Sequence, residues 1–138
     1  MDHRSQLEEV ASRFHLVAIY LFGSRADDGL ALLDGAVPPA SGSDLDVGVV
    51  TRARPTAWRH LASLQVVLED IFAPLRVDLV PLRAVDALFQ FRAVDRHRVA
   101  APDSTEADLW ELDVMRRAAE LLPIERRIEV ERFGVSTS

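Results

Sequence analysis

Three acids and a Gly-Ser pair are the residues of this chain whose types and spacing could do chemistry. Gly23 and Ser24 follow the apolar run "HLVAIYLF", and Asp44 and Asp46 alternate with Leu45 and Val47 in "SDLDVGVV". Asp78 interrupts a second apolar run, "RVDLV". Alternate side chains of a strand share a face, so Asp44 and Asp46 point one way, about 7 Å apart, while Leu45, Val47 and Val49 point the other. Two carboxylates so placed repel and lose solvation unless something positive lies between them. A hard divalent cation with oxygen ligands meets that need. If the strand carrying Asp78 lies alongside, three carboxylates converge, a set suited to two magnesium ions roughly 4 Å apart clamping an in-line phosphoryl-type displacement. The Gly-Ser pair would be the phosphate half of the same site. Glycine lets the backbone approach a phosphate, while the Ser24 hydroxyl and nearby amides donate to it, aided by a following helix N-terminus. Arg25 adds a forked donor. Each piece alone has a plainer reading, a solvated strand face for the acids and a strand-to-helix turn for Gly-Ser. Their order along the chain points to one site.

The elements that must position these residues are visible in the apolar spacing. "SQLEEVASRF" places Leu7, Val10, Ala11 and Phe14 at helical intervals, with Ser5 as a cap and Glu8 three residues on. "HLVAIYLF" reads as a buried strand ending at Gly23, and "DLDVGVV" as a second. Residues 27–43, with three Gly and two Pro, form the least regular part of the chain. Leu30, Ala31, Leu32 and Leu33 in it are too apolar for a solvated loop, so 29–33 are expected to form a helical turn packed on the body, with "GAVPPASG" projecting beside the site. Trp58, Leu61, Leu64, Val67, Leu68 and Ile71 mark a helix opened by Pro55 and Thr56. "LRVDLVPL" is a short strand closed by Pro81, "AVDALFQFRAV" a helix, and "DRHRVAA" a short edge strand. Asp103, three residues before Glu106, opens a helix running to Leu122 and interrupted by Pro123. Leu109, Leu112, Met115, Ala119 and Leu122 are its expected apolar face. Helices alternating with short apolar strands mean an α/β domain.

Composition narrows the function classes. At 138 residues the length fits a single domain over 1–138, with 133–138 a loose tail. No apolar run approaches the ~20 residues needed to cross a bilayer, and "MDHRSQLEEV" lacks the layout of a secretion signal. A cytoplasmic protein without a membrane partner is expected. There is no cysteine, which excludes disulfides and thiolate metal sites. The net charge of −6 argues against direct nucleic-acid binding. All sixteen basic residues are arginine, which rules out mechanisms built on a lysine, such as a P-loop or a Schiff base. His3, His15, His60 and His97 show no metal-ligand spacing and read as surface or boundary residues. Arg92, Arg96, His97 and Arg98 form a local basic cluster, read first as a solvated turn and second as a contact for nucleotide or partner. Trp58 and Trp110 sit on apolar faces and are expected in the core. Ile124, Ile128 and Phe133 extend the apolar character of the last helix, by packing within the chain or by docking to a helical partner.

Taken in order, "LFGSR", "SDLDVGVV" and "VDLV" make the sequence resemble the minimal nucleotidyltransferases (MNT) of the polymerase-beta-like superfamily, from about residue 5 to about residue 122. The resemblance implies a small mixed sheet flanked by helices. It implies that Gly23, Ser24, Arg25 and Ser43 bind the nucleotide, and that Asp44, Asp46 and Asp78 bind Mg2+, with Mn2+ as an alternative. Asp78 would also help deprotonate the acceptor hydroxyl. It further implies transfer of AMP from ATP to a tyrosine of a partner HEPN toxin, for which the chain would be the antitoxin. Two rival readings are an antitoxin that neutralises by binding alone and a transferase acting on a small molecule such as an aminoglycoside. The sequence departs from the family pattern in two places. Nineteen residues, 25–43, separate Ser24 from Asp44, where the family usually has about ten. Asp27 and Asp28 stand where the family often carries a basic residue, and acids there would repel a triphosphate or recruit metal.

Overall fold

The computed structural model describes residues 2–52 and 57–133, with side chains through Leu122. In chain order the elements are α1 (His3–Arg13), β1 (Leu16–Phe22), α2 (Ala26–Leu33), β2 (Leu45–Thr51), α3 (Trp58–Phe72), β3 (Val77–Pro81), a 3-10 turn (Leu82–Ala84), α4 (Ala87–Val94), β4 (His97–Ala100) and α5 (Ser104–Phe133). The strands form one mixed sheet in the order β3-β2-β1-β4. β1 runs antiparallel to β2 and β4, whereas β2 and β3 are parallel.

Helices cover both faces of the sheet, so every residue of β1 is buried and the strand reads as one continuous apolar run. One face packs Leu16, Ile19, Leu21, Leu45, Val47 and Val49 against α1, α2 and α3. The other packs Val17, Ala18, Tyr20, Phe22 and Val50 against α4, α5 and Leu82. Val17 and Ala18 face the same way because the β1–β2 register shifts between Leu16 and Ala18, the signature of a bulge. Asp46 and Asp78 belong to the second face by alternation with Val47 and Val77. They lie at one end of it, beyond the close contact between Gly48 and Leu82.

Most elements stand where periodicity placed them, including the edge strand β4, but five expectations change. The cap of α1 is Asp2, whose carboxylate accepts from Ser5 N at 2.7 Å, so Ser5 is inside the helix rather than its cap. The segment read as irregular from residue 27 begins instead with α2, packed through Ala26, Gly29, Leu32 and Leu33. Trp58 is 72% exposed, with the Arg59 guanidinium over its ring. Pro123 removes one backbone donor without ending α5, which continues to Phe133. The packed face of α5 is Ala107, Val114 and Ala118, with Trp110 partly buried against Tyr20. Leu109, Leu112, Met115 and Leu122 lie on the exposed side. Polar contacts reinforce that choice of face: Tyr20 donates to Glu111 at 2.8 Å and Arg117 to Gln90 at 2.9 Å. Pro55, Thr56, the tail from 134, and the side chains of Ile124, Ile128 and Phe133 lie outside the described residues.

Candidate active site

Strand pairing assembles the site. Parallel pairing of β2 with β3 sets Asp46 opposite Asp78, and antiparallel pairing of β1 with β2 sets Phe22 opposite Asp46. Gly23, the next residue, takes a φ of +75° directly beside Asp46, where an added Cβ would overlap Asp46 Oδ2. Only glycine combines that backbone with that close approach. Burial and the neighbouring Asp78 carboxyl, with a smaller contribution from Asp44, push the Asp46 carboxyl above its ordinary range. Crowded like charges raise an acid's pKa in this way because the second negative charge has nothing to balance it.

Asp44 lies just before β2, exposed while Leu45 is fully buried. Its charge reaches Asp46, but its Oδ1 is 3.7 Å from Arg76 Nε. Among the described residues, no three acidic or histidine side chains are arranged to hold a metal ion as they stand. The structure therefore brings together Asp46 and Asp78, and leaves Asp44 leaning towards Arg76 at the rim. The donor set nonetheless matches a hard cation in kind: it offers carboxylate oxygens from adjacent strands, and one of those carboxylates resists ionising alone.

The phosphate half is held differently from its expectation. Ser24 Oγ lies 3.0 Å from Ser43 Oγ, closing the nineteen-residue excursion into a loop with both hydroxyls at its neck. Arg25, expected to offer its fork to a phosphate, is 7% exposed and turned into that loop. Its Nη1 donates to the carbonyls of Ser41 (3.1 Å) and Ser43 (3.3 Å), Nη2 donates to that of Pro39 (2.6 Å), and Nε donates to Asp28 Oδ2 (3.0 Å). A guanidinium so engaged is a clamp on residues 39–43, the approach to Asp44. The two acids that seemed hostile to a triphosphate are also occupied. Asp28 pairs with Arg25, and Asp27 accepts from His97 at 2.9 Å with Arg96 3.5 Å away. Those partners hold the Asp27 carboxyl below its usual range.

A cleft of about 550 Å3 opens beside the Gly-Ser turn, between it and α4. Its aromatic wall was not anticipated: the sequence places Phe89 and Phe91 in a helix and marks neither for a role. Arg92 and Arg96, which the sequence offers first as a solvated turn and second as a contact for nucleotide or partner, line the same cleft. Arg76, two residues before Asp78, carries no signal in the sequence that marks it as the partner of Asp44.

Comparison with known proteins bears on the family and the fold. The model of the family "Polymerase beta, Nucleotidyltransferase" matches residues 5–104. Among solved structures, a mutant of the toxin–antitoxin MntA–HpeT superposes with a TM-score of 0.66 at 16% identity, covering 96% of this chain and 98% of the other. A toxin–antitoxin with AMP-PNP gives 0.60 at 18% identity, covering 96% and 98%. A tri-AMPylated Shewanella oneidensis HEPN toxin in complex with MNT antitoxin gives 0.59 at 17% identity, covering 96% and 97%. These likenesses are of fold. No curated protein matches. With the family match spanning most of its length, the chain belongs to the polymerase beta nucleotidyltransferase family.

Proposed function

We propose that this nucleotidyltransferase is a divalent-metal-dependent protein adenylyltransferase, an antitoxin that moves AMP from ATP to a tyrosine of a HEPN toxin. The observation that carries the reading is the Asp46–Asp78 pair, set across parallel strands and abutting Gly23. Asp44 completes the cation ligands by leaving Arg76, a weak exposed contact. Magnesium or manganese, when bound, supplies charge to polarise the α-phosphate and balance the departing pyrophosphate. Gly23 and Ser24 seat the phosphate chain, and Ser43 adds a hydroxyl at the same neck. The acceptor oxygen attacks the α-phosphorus, an O–P bond forms, the bond to the β-phosphate oxygen breaks, and Asp78 takes the hydroxyl proton. Arg25 fixes the segment that delivers Ser43 and Asp44, so it positions rather than binds.

The acceptor comes from another molecule if it is a tyrosine. Tyr20, the sole tyrosine of the chain, is fully buried and bonded to Glu111. The structural neighbours described as toxin–antitoxin complexes, one AMPylated and one with AMP-PNP, support a HEPN partner and ATP as donor.

The test is incubation of the chain with a HEPN partner, Mg2+ and ATP, followed by intact-mass and peptide analysis of the partner. Addition of AMP to a tyrosine, lost with Asp46→Asn, is the expected result. Neutralisation of the toxin by Asp46→Asn as complete as by the native chain would establish the binding-only reading instead.

A further inference from the structure

We propose that the outer face of α5 is a self-association surface, through which two copies of this chain pair antiparallel, centred on Leu112. Leu109, Leu112 and Met115 are 63%, 61% and 44% exposed. They follow one another at three-residue steps, the spacing of a single helix face. Single exposed leucines are ordinary on a protein surface, whereas a row of them along one helix face is the pattern of a docking seam. Thr105 extends the row on one side and Ala119 on the other, both exposed. The packed residues of α5, Ala107, Val114 and Ala118, stay against the body, so pairing needs no change of fold.

The charges beside the row identify the occupant. Asp108 and Arg116 share this side of the helix, each four residues from Leu112. A second α5 laid antiparallel, Leu112 over Leu112, sets Asp108 of each copy level with Arg116 of the other. Leu109 then meets Met115, and Thr105 meets Ala119. A parallel pair would instead set acid beside acid and arginine beside arginine. The face is its own complement under a two-fold axis, as an isologous dimer requires. Both charges keep capacity for the contact. Asp108 is exposed and gives one oxygen, Oδ1, to Arg98 at 2.7 Å. Arg116 is exposed, 2.7 Å from Asp113 and 3.5 Å from Glu120, and a guanidinium has five N–H donors. Residues 104–120 overlap in this register, about 25 Å of helix. One helix face of that length buries less than the about 1,600 Å2 of a standard interface, so the dimer is weak, with a Kd on the order of 10–100 µM. Pairing through α5 is independent of the transferase reading.

The test is sedimentation velocity on the full chain and on Leu112→Glu, Asp108→Arg and Arg116→Asp, from about 1 to about 300 µM. The native chain should pass from monomer towards dimer across that range. Each variant should raise Kd by at least about tenfold, Leu112→Glu by facing its own copy across the two-fold and the others by setting like charges level. An equal mixture of Asp108→Arg and Arg116→Asp should associate to within about threefold of the native Kd, because both cross-copy pairs then join opposite charges. At about 1 µM, where the native chain is monomeric, Leu112→Glu should melt within about 2 °C of it, which separates loss of pairing from loss of fold. A native chain that stays monomeric to about 300 µM would overturn the pairing and leave the face to solvent or to a different protein. Leu112→Glu dimerising as the native chain does would refute the surface, and a mixture no more associated than its parts would refute the antiparallel register.

Discussion

Arg25→Gln should destabilise the free protein before any ligand is considered. The side chain makes three bonds to loop carbonyls, at 2.6, 3.1 and 3.3 Å, and one to Asp28 at 3.0 Å. Hydrogen bonds to a charged group contribute about 1.5–3 kcal/mol each when buried. Here the sum must be discounted, because Pro39, Ser41 and Ser43 are exposed and their carbonyls can rehydrate, and Asp28 is half-exposed. A net loss of about 2–4 kcal/mol remains, and at about 3–5 °C per kcal/mol for a chain of this size the melting temperature should fall by about 6–20 °C. Arg25→Lys should lose most of this too, since one ammonium cannot reach three separated carbonyls and a carboxylate in a planar fork. Loosening 39–43 also unseats Ser43 and Asp44, so the transfer rate should drop by about 10- to 100-fold. The assay pairs thermal denaturation of the ligand-free variant with Mg-ATP binding and single-turnover transfer. If Arg25→Gln melts within about 2 °C of the native chain but binds Mg-ATP tenfold more weakly, the clamp is wrong and the side chain contacts phosphate after all.

Asp46→Asn should cut transfer by at least about 100-fold while raising the ligand-free melting temperature by about 1–3 °C. The Asp46 carboxyl is raised in the fold, so its contribution to stability is greatest at acid pH and falls as pH rises through the raised value. The variant's pH-stability curve should therefore lack part of that decline above the ordinary carboxylate range, and a curve parallel to the native one would refute the repulsion. Gly23→Ala adds a Cβ against Asp46 Oδ2 at a φ of +75°. It should cost about 1–2 kcal/mol in backbone strain alone and abolish transfer, as read by melting and by label incorporation. Trimming the exposed residues 35–37 should leave stability within about 1 kcal/mol, whereas shortening 34–41 removes the Pro39 and Ser41 carbonyls that Arg25 holds and should reproduce the Arg25→Gln deficit in the same melting assay. On α5, Val114→Ala should cost about 1–3 kcal/mol and Leu112→Glu under about 0.5 kcal/mol in denaturant unfolding. The reverse ranking would restore the leucine face as the buried one.

The α5 contrast shows where sequence reading runs out. Leu109, Leu112, Met115 and Leu122 share one helical stripe, and Ala107, Trp110, Val114 and Ala118 share another. Both are apolar, and periodicity favours the bulkier set. What decides between them is the neighbour: α4 lies against α5, and small residues let the two backbones approach. Bonds from Tyr20 to Glu111 and from Arg117 to Gln90 then fix the rotation. None of those partners is near in sequence. Trp58 fails for a similar reason, since it lies six residues, nearly two turns, before the first fully buried residue of α3, Leu64, and overhangs the body.

The acids were legible because strand burial makes them conspicuous: a carboxylate between Leu45 and Val47 or between Val77 and Leu79 interrupts a run that otherwise belongs to the core. Their pairing needed only that β2 and β3 be neighbours, which a strand-helix-strand order favours. Arg25 was legible as a residue but not as a role. Its acceptors are main-chain carbonyls of Pro39, Ser41 and Ser43, and a carbonyl leaves no mark in the sequence. The same limit explains the long excursion between Ser24 and Asp44. Counted in residues it separates the proposed phosphate half from the proposed metal half; in space Ser24 and Ser43 touch, and the length lies in α2 and a mostly exposed arc beyond it. An insertion of that kind leaves the site intact as long as something ties its neck, and a buried guanidinium with several donors is suited to tying backbone to backbone. The geometry proposed for catalysis therefore depends on a residue next to the Gly-Ser pair that need never contact the nucleotide.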